Sequence, residues 1–150
     1  MKKEQTLYER LGGRPVLERV HKIFYDKVYA HPWLGKFFDG VDQEHIERMQ
    51  TDLMSQGMGG PPVFHGTYPI PGHQHMFITR ELFRIRLELK AEALREAGIP
   101  EDLAEGWLAI DRSFEDMMVK DSVDQCEKRH PDDEILVIPA PSEKPGDPVS

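Results

Sequence analysis

The residue best suited to chemistry is a histidine that closes a Pro- and Gly-rich run. The run is Phe64-His65-Gly66-Thr67-Tyr68-Pro69-Ile70-Pro71-Gly72-His73-Gln74-His75. Its tight turn delivers His73 onto the first turn of a short helix, where a neutral imidazole can ligate a metal. A single proximal histidine is a common way to hold the iron of a haem. His75 lies within reach of the same turn and is a rival ligand. On this segment alone, a solvent-facing loop histidine would look the same. Gln50 sits mid-stripe among Ile46, Met49, Leu53 and Met54, and a buried amide needs partners. The single cysteine, Cys126, allows no intrachain disulfide, CxxC pair or CxxCH attachment motif, so a haem would be held non-covalently.

The elements that must position these residues are helical. A short helix covers Gln5 to Leu11 and stops at Gly12-Gly13, a helix terminator. A second runs from Pro15 to about Ala30, with Val16, Val20, Ile23, Phe24 and Val28 at three- and four-residue spacing, and His31-Pro32 ends it. A third begins at Asp42, a good N-cap, and ends before Gly59-Gly60-Pro61-Pro62. The fourth starts at Thr79 and runs to Ala97, with Gly98 as its C-cap. The fifth opens with Pro100-Glu101-Asp102, which suits a helix N-terminus. Its stripe is Leu103, Trp107, Ile110, Phe114, Met117 and Met118. No strand pattern competes. From Pro131 the chain is rich in Pro, Asp and Glu and reads as a disordered tail, although Ile135-Leu136-Val137-Ile138 could pack on the body or on another subunit.

The length of 150 residues suits one domain, at 1–125, followed by an acidic, Pro-rich tail at 126–150. A formal charge of −8, from 27 acidic and 19 basic residues, argues against nucleic acid or an anionic membrane surface as partner. The charged N-terminus lacks the apolar stretch of a signal peptide, and no apolar run approaches membrane-spanning length, so a cytoplasmic location is the default.

The order of motifs is specific. Leu7-Tyr8-Glu9-Arg10-Leu11-Gly12-Gly13 comes first, then Phe24-Tyr25-Asp26-Lys27-Val28 and Phe37-Phe38-Asp39-Gly40-Val41-Asp42. Met58-Gly59-Gly60, Phe64-His65-Gly66 and His73 follow, and Ala93-Leu94-Arg95-Glu96-Ala97-Gly98-Ile99-Pro100-Glu101-Asp102-Leu103 closes the series. This series resembles the truncated haemoglobins, closest to group I, over roughly residues 6 to 120. The resemblance implies an all-α fold, a globin-like two-over-two helical sandwich, with haem b as cofactor. His73 matches the proximal iron ligand, with Met76, Ile78 and Phe83 at family apolar positions beyond it. Tyr25 matches the distal tyrosine, whose hydroxyl can donate a hydrogen bond to the bound ligand, and Gln50 matches a distal glutamine. Phe38 matches the phenylalanine that lies flat on the haem, with Phe37 beside it. Phe24, Ile46, Met49, Leu53, Phe64, Tyr68, Phe77, Phe83, Leu87 and Phe114 are the expected walls, although an ordinary helical core explains most of them nearly as well.

The chain also departs from the family pattern. Thr67 stands where a basic residue often pairs with a haem propionate; Lys36, Arg48 or Arg80 could replace it, and Arg86 could reach a propionate or snorkel. Pro69 and Pro71 should shorten the lead-in helix. Met49 could cap the iron, as could His45. Trp107 lies in the last helix, not where group II members carry their marker tryptophan. The implied function is reversible binding of oxygen, nitric oxide and carbon monoxide, as in oxygen transport. It extends to nitric oxide dioxygenation with an external reductase, or to peroxidase-like activity. The alternative is a six-coordinate haem protein for electron transfer or sensing. Oligomerisation through the tail is left open.

Overall fold

A computed structural model describes residues 5–64, 73–128 and 130–140. The helices are α1 (Leu7–Leu11), α2 (Arg14–Ala30), α3 (Gln43–Gly57), α4 (Arg80–Glu96), α5 (Glu101–Arg112) and α6 (Glu115–Met118), with 3-10 turns at Leu34–Phe38 and Val123–Gln125. Their starts follow from local chemistry. Thr6 and Glu9 form a reciprocal capping box on α1. The Asp42 carboxylate accepts from the His45 amide on α3, and the Thr79 hydroxyl from the Leu82 amide on α4.

The two glycine pairs join α1 to the end of α3. Gly12 and Gly13 adopt φ of 112° and 79°, the left-handed region that lets α1 turn directly into α2. Tyr8 then packs on the second pair: a Cβ at Gly60 would stand 2.6 Å from its ring. The Tyr8 amide also donates to the Met58 carbonyl at 3.2 Å.

Helix α2 is central. It packs on α3 and α4, and α4 packs on α5, which gives two crossed helix pairs. One buried cluster, including Leu17, Val20, Met54, Leu94 and Trp107, closes one end of the body. The other, including Phe24, Tyr25, Val28, Trp33, Leu34 and Leu82, backs the site described below.

Three expectations change. The last helix does not run through to Met118. It stops at Arg112, where the Ser113 hydroxyl donates to the Ile110 carbonyl at 2.5 Å and the chain tightens before α6. His73 is helical, but no helix continues from it: Gln74 and His75 turn, and Met76 forms a bridge with Leu136. The reading of the tail as disordered does not describe its first part. The His75 carbonyl accepts from the Leu136 amide at 2.8 Å, and the Leu136 carbonyl from the Phe77 amide at 2.9 Å. The Trp33 indole donates to the Ile138 carbonyl at 2.8 Å. The apolar run thus docks on the body, where backbone partners offset its ordering. Residues 141–150 lie outside the described residues, as do His65 to Gly72, including Thr67, Tyr68, Pro69 and Pro71.

Candidate functional site

Two cavities, of about 290 and about 110 Å³, open between α2, α3, α4 and the 73–78 segment. They adjoin, because Phe38, Ile46, Gln50, His73, Phe83, Arg86 and Met118 line both. Helix α2 contributes Tyr25, α3 contributes Gln50, and the turn after α2 supplies Phe37 and Phe38. These residues are far apart in sequence, and helix crossing alone brings them together.

The structure divides the expected wall residues. Ile46, Gln50, His73, Phe38 and Phe83 line both cavities; Phe37 and Met49 line the larger, and Tyr25, Leu53 and Phe114 the smaller. Phe24, Phe64, Phe77 and Leu87 line neither. Phe24 is completely buried one layer behind, edge-on to Tyr25 at 4.8 Å, with the Lys90 ammonium 4.4 Å above its ring. Phe77 is tied through its amide to Leu136. The rival histidine is separated as well. His75 is 7% exposed, lines neither cavity, and has its carbonyl on the tail. His45 is exposed on α3, with its amide on the Asp42 cap.

Of the expected propionate partners, Lys36, Arg48 and Arg80 line neither cavity, whereas Arg86 lines both. Arg80 pairs with Glu115 at 2.5 Å, and Arg48 lies in a separate acidic groove with Glu18, Glu44 and Glu47. Lys36 is exposed. Arg86 does face the cavities, in a buried charged cluster that the sequence reading missed. Asp111, 5% exposed, accepts from the Lys90 ammonium at 3.1 Å and the Arg86 guanidinium at 3.4 Å. Burial alone would raise the Asp111 carboxyl, but the two cations outweigh it and hold it below the ordinary range. Burial pushes Lys90 down to about 8, with Asp111 opposing and Arg86 adding to the shift. For Arg86, burial opposes the charge, but Asp111 and Tyr25 prevail and keep it protonated. A signal was present in the sequence. Lys90 lies seven residues after Phe83 and Asp111 four after Trp107, on the buried faces of their helices.

Tyr25 is 2% exposed, and its hydroxyl feels the charge of the Arg86 guanidinium. Burial pushes its pKa up to about 12, against a smaller opposite pull from Arg86. The phenol therefore stays protonated. Arg86 can only donate, so a hydrogen bond between the two uses the Tyr25 oxygen as acceptor and leaves the Tyr25 proton for another partner.

On the opposite side, Lys120 holds the histidine segment, a role that no sequence pattern signalled. Its ammonium donates to the carbonyls of His73 at 2.9 Å, Met76 at 2.7 Å and Met118 at 3.3 Å. Its own amide donates to the Ile78 carbonyl. At 9% exposure, burial lowers its pKa.

The donor set fits a planar, apolar metallocofactor. One imidazole faces a cavity walled by Phe, Ile, Leu and Met, with proton donors from Tyr25, Gln50 and Arg86. Among the described residues no group of three or more His, Cys, Asp or Glu side chains could hold a metal ion by itself. Nor is any helix among them long and apolar enough to cross a membrane.

Comparison with known proteins agrees with this geometry. Residues 6–120 match the family described as bacterial-like globin. The chain is 31% identical to the group 1 truncated hemoglobin of Tetrahymena pyriformis over 121 residues, which cover 80% of this chain and all of that protein. The crystal structure of the Tetrahymena pyriformis truncated hemoglobin in its Fe(III) form superposes with a TM-score of 0.72 at 28% identity, covering 77% of this chain and 98% of that one. The hemoglobin of Chloroflexus aurantiacus gives 0.71 at 30% identity, covering 78% and 99%.

Proposed function

This chain belongs to the bacterial-like globins and, among them, to the truncated haemoglobins, and on that premise we propose that it anchors haem b through His73 and binds oxygen reversibly beside Tyr25 and Gln50. Membership of the family implies a haem iron and the binding of diatomic gases. One observation carries the assignment of residues: His73, Tyr25 and Gln50, from three separate parts of the chain, line one cavity. Cys126 does not line it, which supports a non-covalently held haem.

When bound, the haem supplies an iron with one face available to a diatomic ligand such as oxygen, nitric oxide or carbon monoxide. The chain supplies the surroundings. Tyr25 lines the smaller cavity and keeps its proton at neutral pH, so its hydroxyl is a donor there. The Gln50 amide offers a second donor from α3. Phe37, Phe38, Ile46 and Met49 keep the larger cavity apolar, so that these hydrogen bonds act away from bulk water. The same donors suit oxidation of nitric oxide to nitrate at the expense of oxygen, with an external reductase supplying electrons.

The test is optical and kinetic. Haem-loaded protein should bind carbon monoxide when ferrous and release oxygen slowly. Tyr25→Phe should speed oxygen release by roughly three- to tenfold, the worth of one hydrogen bond. An unchanged rate would remove Tyr25 from its role. Sharp, split visible bands in the ligand-free ferrous protein would mean a sixth protein ligand, with Met49 at the cavity wall or His45 as the candidates, and would support the electron-transfer reading instead.

A further inference from the structure

The distal donors described above are neutral, apart from one. Arg86 projects from α4 to line both cavities, and 27% of its side-chain surface is accessible. A guanidinium buried this far normally sits against a carboxylate that neutralises it. Among the described residues its one carboxylate partner is Asp111, which is shared. It lies closer to Lys90, at 3.1 Å, than to Arg86, at 3.4 Å. The remaining contacts of Arg86 are the Tyr25 oxygen and the face of Phe24, 5.1 Å from its ring centroid. The cluster therefore holds two cations against one anion, and the less compensated cation is the one facing the cavity.

A guanidinium carries five N–H donors in a planar fork. Asp111 does not saturate the fork, and the donors left over belong to a side chain that lines both cavities. Tyr25 and Gln50 also present hydrogens; Asp111 borders the smaller cavity, but its carboxylate is engaged by Lys90 and Arg86, and it does not line the larger one. Converging donors and an uncompensated positive charge, enclosed by Ile46, Leu53, Phe83 and Phe114, make a site for an acceptor bearing negative charge.

We propose that Arg86 sets the preference of the distal cavity for small monoanions, of the nitrite, azide and fluoride class, over neutral ligands, acting with Tyr25 and Gln50. This rests on the haem reading above, and it adds that the ferric protein takes anionic ligands with an affinity set by Arg86. A haem carboxylate is the other partner that Arg86 could serve, and the test separates the two.

The experiment titrates ferric, haem-loaded wild type, Arg86→Leu and Arg86→Gln with sodium azide and sodium fluoride, following the Soret band. Carbon monoxide affinity of the ferrous protein is the neutral reference. Removing Arg86 leaves Lys90 and Asp111 paired one to one, so the variants should fold; Arg86→Gln keeps more of the shape if the leucine does not. The ratio of azide to carbon monoxide affinity, and that of fluoride, should fall by about tenfold or more, the loss expected for one charge-assisted hydrogen bond. Equal ratios in a wild type and variants that all load haem and bind carbon monoxide would overturn this proposal and leave the haem reading standing. Equal ratios with faster haem loss would overturn it in favour of a haem carboxylate. Wild-type protein that forms no Soret band on haem addition would overturn both readings.

Discussion

Lys90 gives the most direct measure of the buried cluster. Its side chain is 1% exposed, yet it carries an ammonium. It faces Asp111 from α5, His21 from α2 and Arg86 on its own helix, and lies over the rings of Phe24 and Trp107. Burial lowers its pKa from 10.5 to about 8. Below pH 8 the folded and unfolded chains both hold the proton, and the charge costs the folded state a constant amount. Between 8 and 10.5 the unfolded chain binds more protons, so stability rises with pH by up to about 1.4 kcal/mol per unit, roughly 3 kcal/mol over the window. Lys90→Met removes that cost and leaves Asp111 paired with Arg86. It forfeits the ammonium–ring contacts, worth about 1–2 kcal/mol. At neutral pH the variant should be more stable than wild type by about 1–2 kcal/mol. The difference should shrink by about 2 kcal/mol between about pH 7 and about pH 9.5. Urea unfolding of both proteins, equally loaded with haem, measures it; titrating groups remote from Lys90 cancel in the comparison, and His21 and Asp111, which Lys90 does shift, are both held below their ordinary ranges and so below this window. Parallel pH profiles would show that Lys90 does not titrate in this window and that the cluster is not strained by burial.

Two further outcomes follow from contacts elsewhere. Lys120→Met removes the donor that joins three carbonyls around the histidine segment. Haem transfer to an acceptor apoprotein should quicken at least severalfold, since each charged hydrogen bond is worth roughly 1.5–3 kcal/mol. Lys120→Arg should recover part of that loss, and equal transfer rates for wild type and Lys120→Met would show that the segment holds without the clasp. Gly60→Ala would place a methyl 2.6 Å from the Tyr8 ring, at the base of the side chain where it cannot swing away. The variant should lose about 1–3 kcal/mol in urea unfolding.

The helical frame and the ligand set were legible because each leaves a local mark. Thr6, Asp42 and Thr79 announce helix starts, and the apolar spacing of α2 to α5 marks the buried faces. Gln50 stood out as a polar residue on an apolar stripe and His73 as a histidine on a tight turn, whereas Tyr25, and the choice of His73 over His75, came from the family resemblance. The wall residues were less legible, since an apolar side chain on a buried face reads alike whether it meets a cavity or another helix. Phe24 and Phe38 show this: only the crossing of α2 with α4 puts the first behind Tyr25 and the second in front. Asp111 and Lys90 sit at buried spacings too, but a charge there reads as a misplaced surface residue until its partner on another helix is known. Lys120 left no mark, because carbonyl groups are present at every residue.

The two sides of the cavity are therefore built by different means. The donor side is carried by long helices whose packing fixes Tyr25, Gln50 and Arg86 to within the tolerance of close-packed side chains. The histidine side has no such helix after His73. Its chain turns at Gln74, and its carbonyls at His73, His75 and Met76 are claimed by Lys120 and Leu136. A segment held by hydrogen bonds to residues 120 and 136 is positioned by chain that lies well beyond the last long helix. The residues past Met118 are thus part of the site's architecture, although they add nothing to its chemistry. The separation has a consequence for mutation. Changes in the Arg86–Lys90–Asp111 cluster should alter which ligand is held and leave the anchoring of the histidine untouched, because the hydrogen bonds described for the cluster and those of Lys120 and Leu136 have no residue in common. Changes at Lys120 or Leu136 should act on the anchor alone.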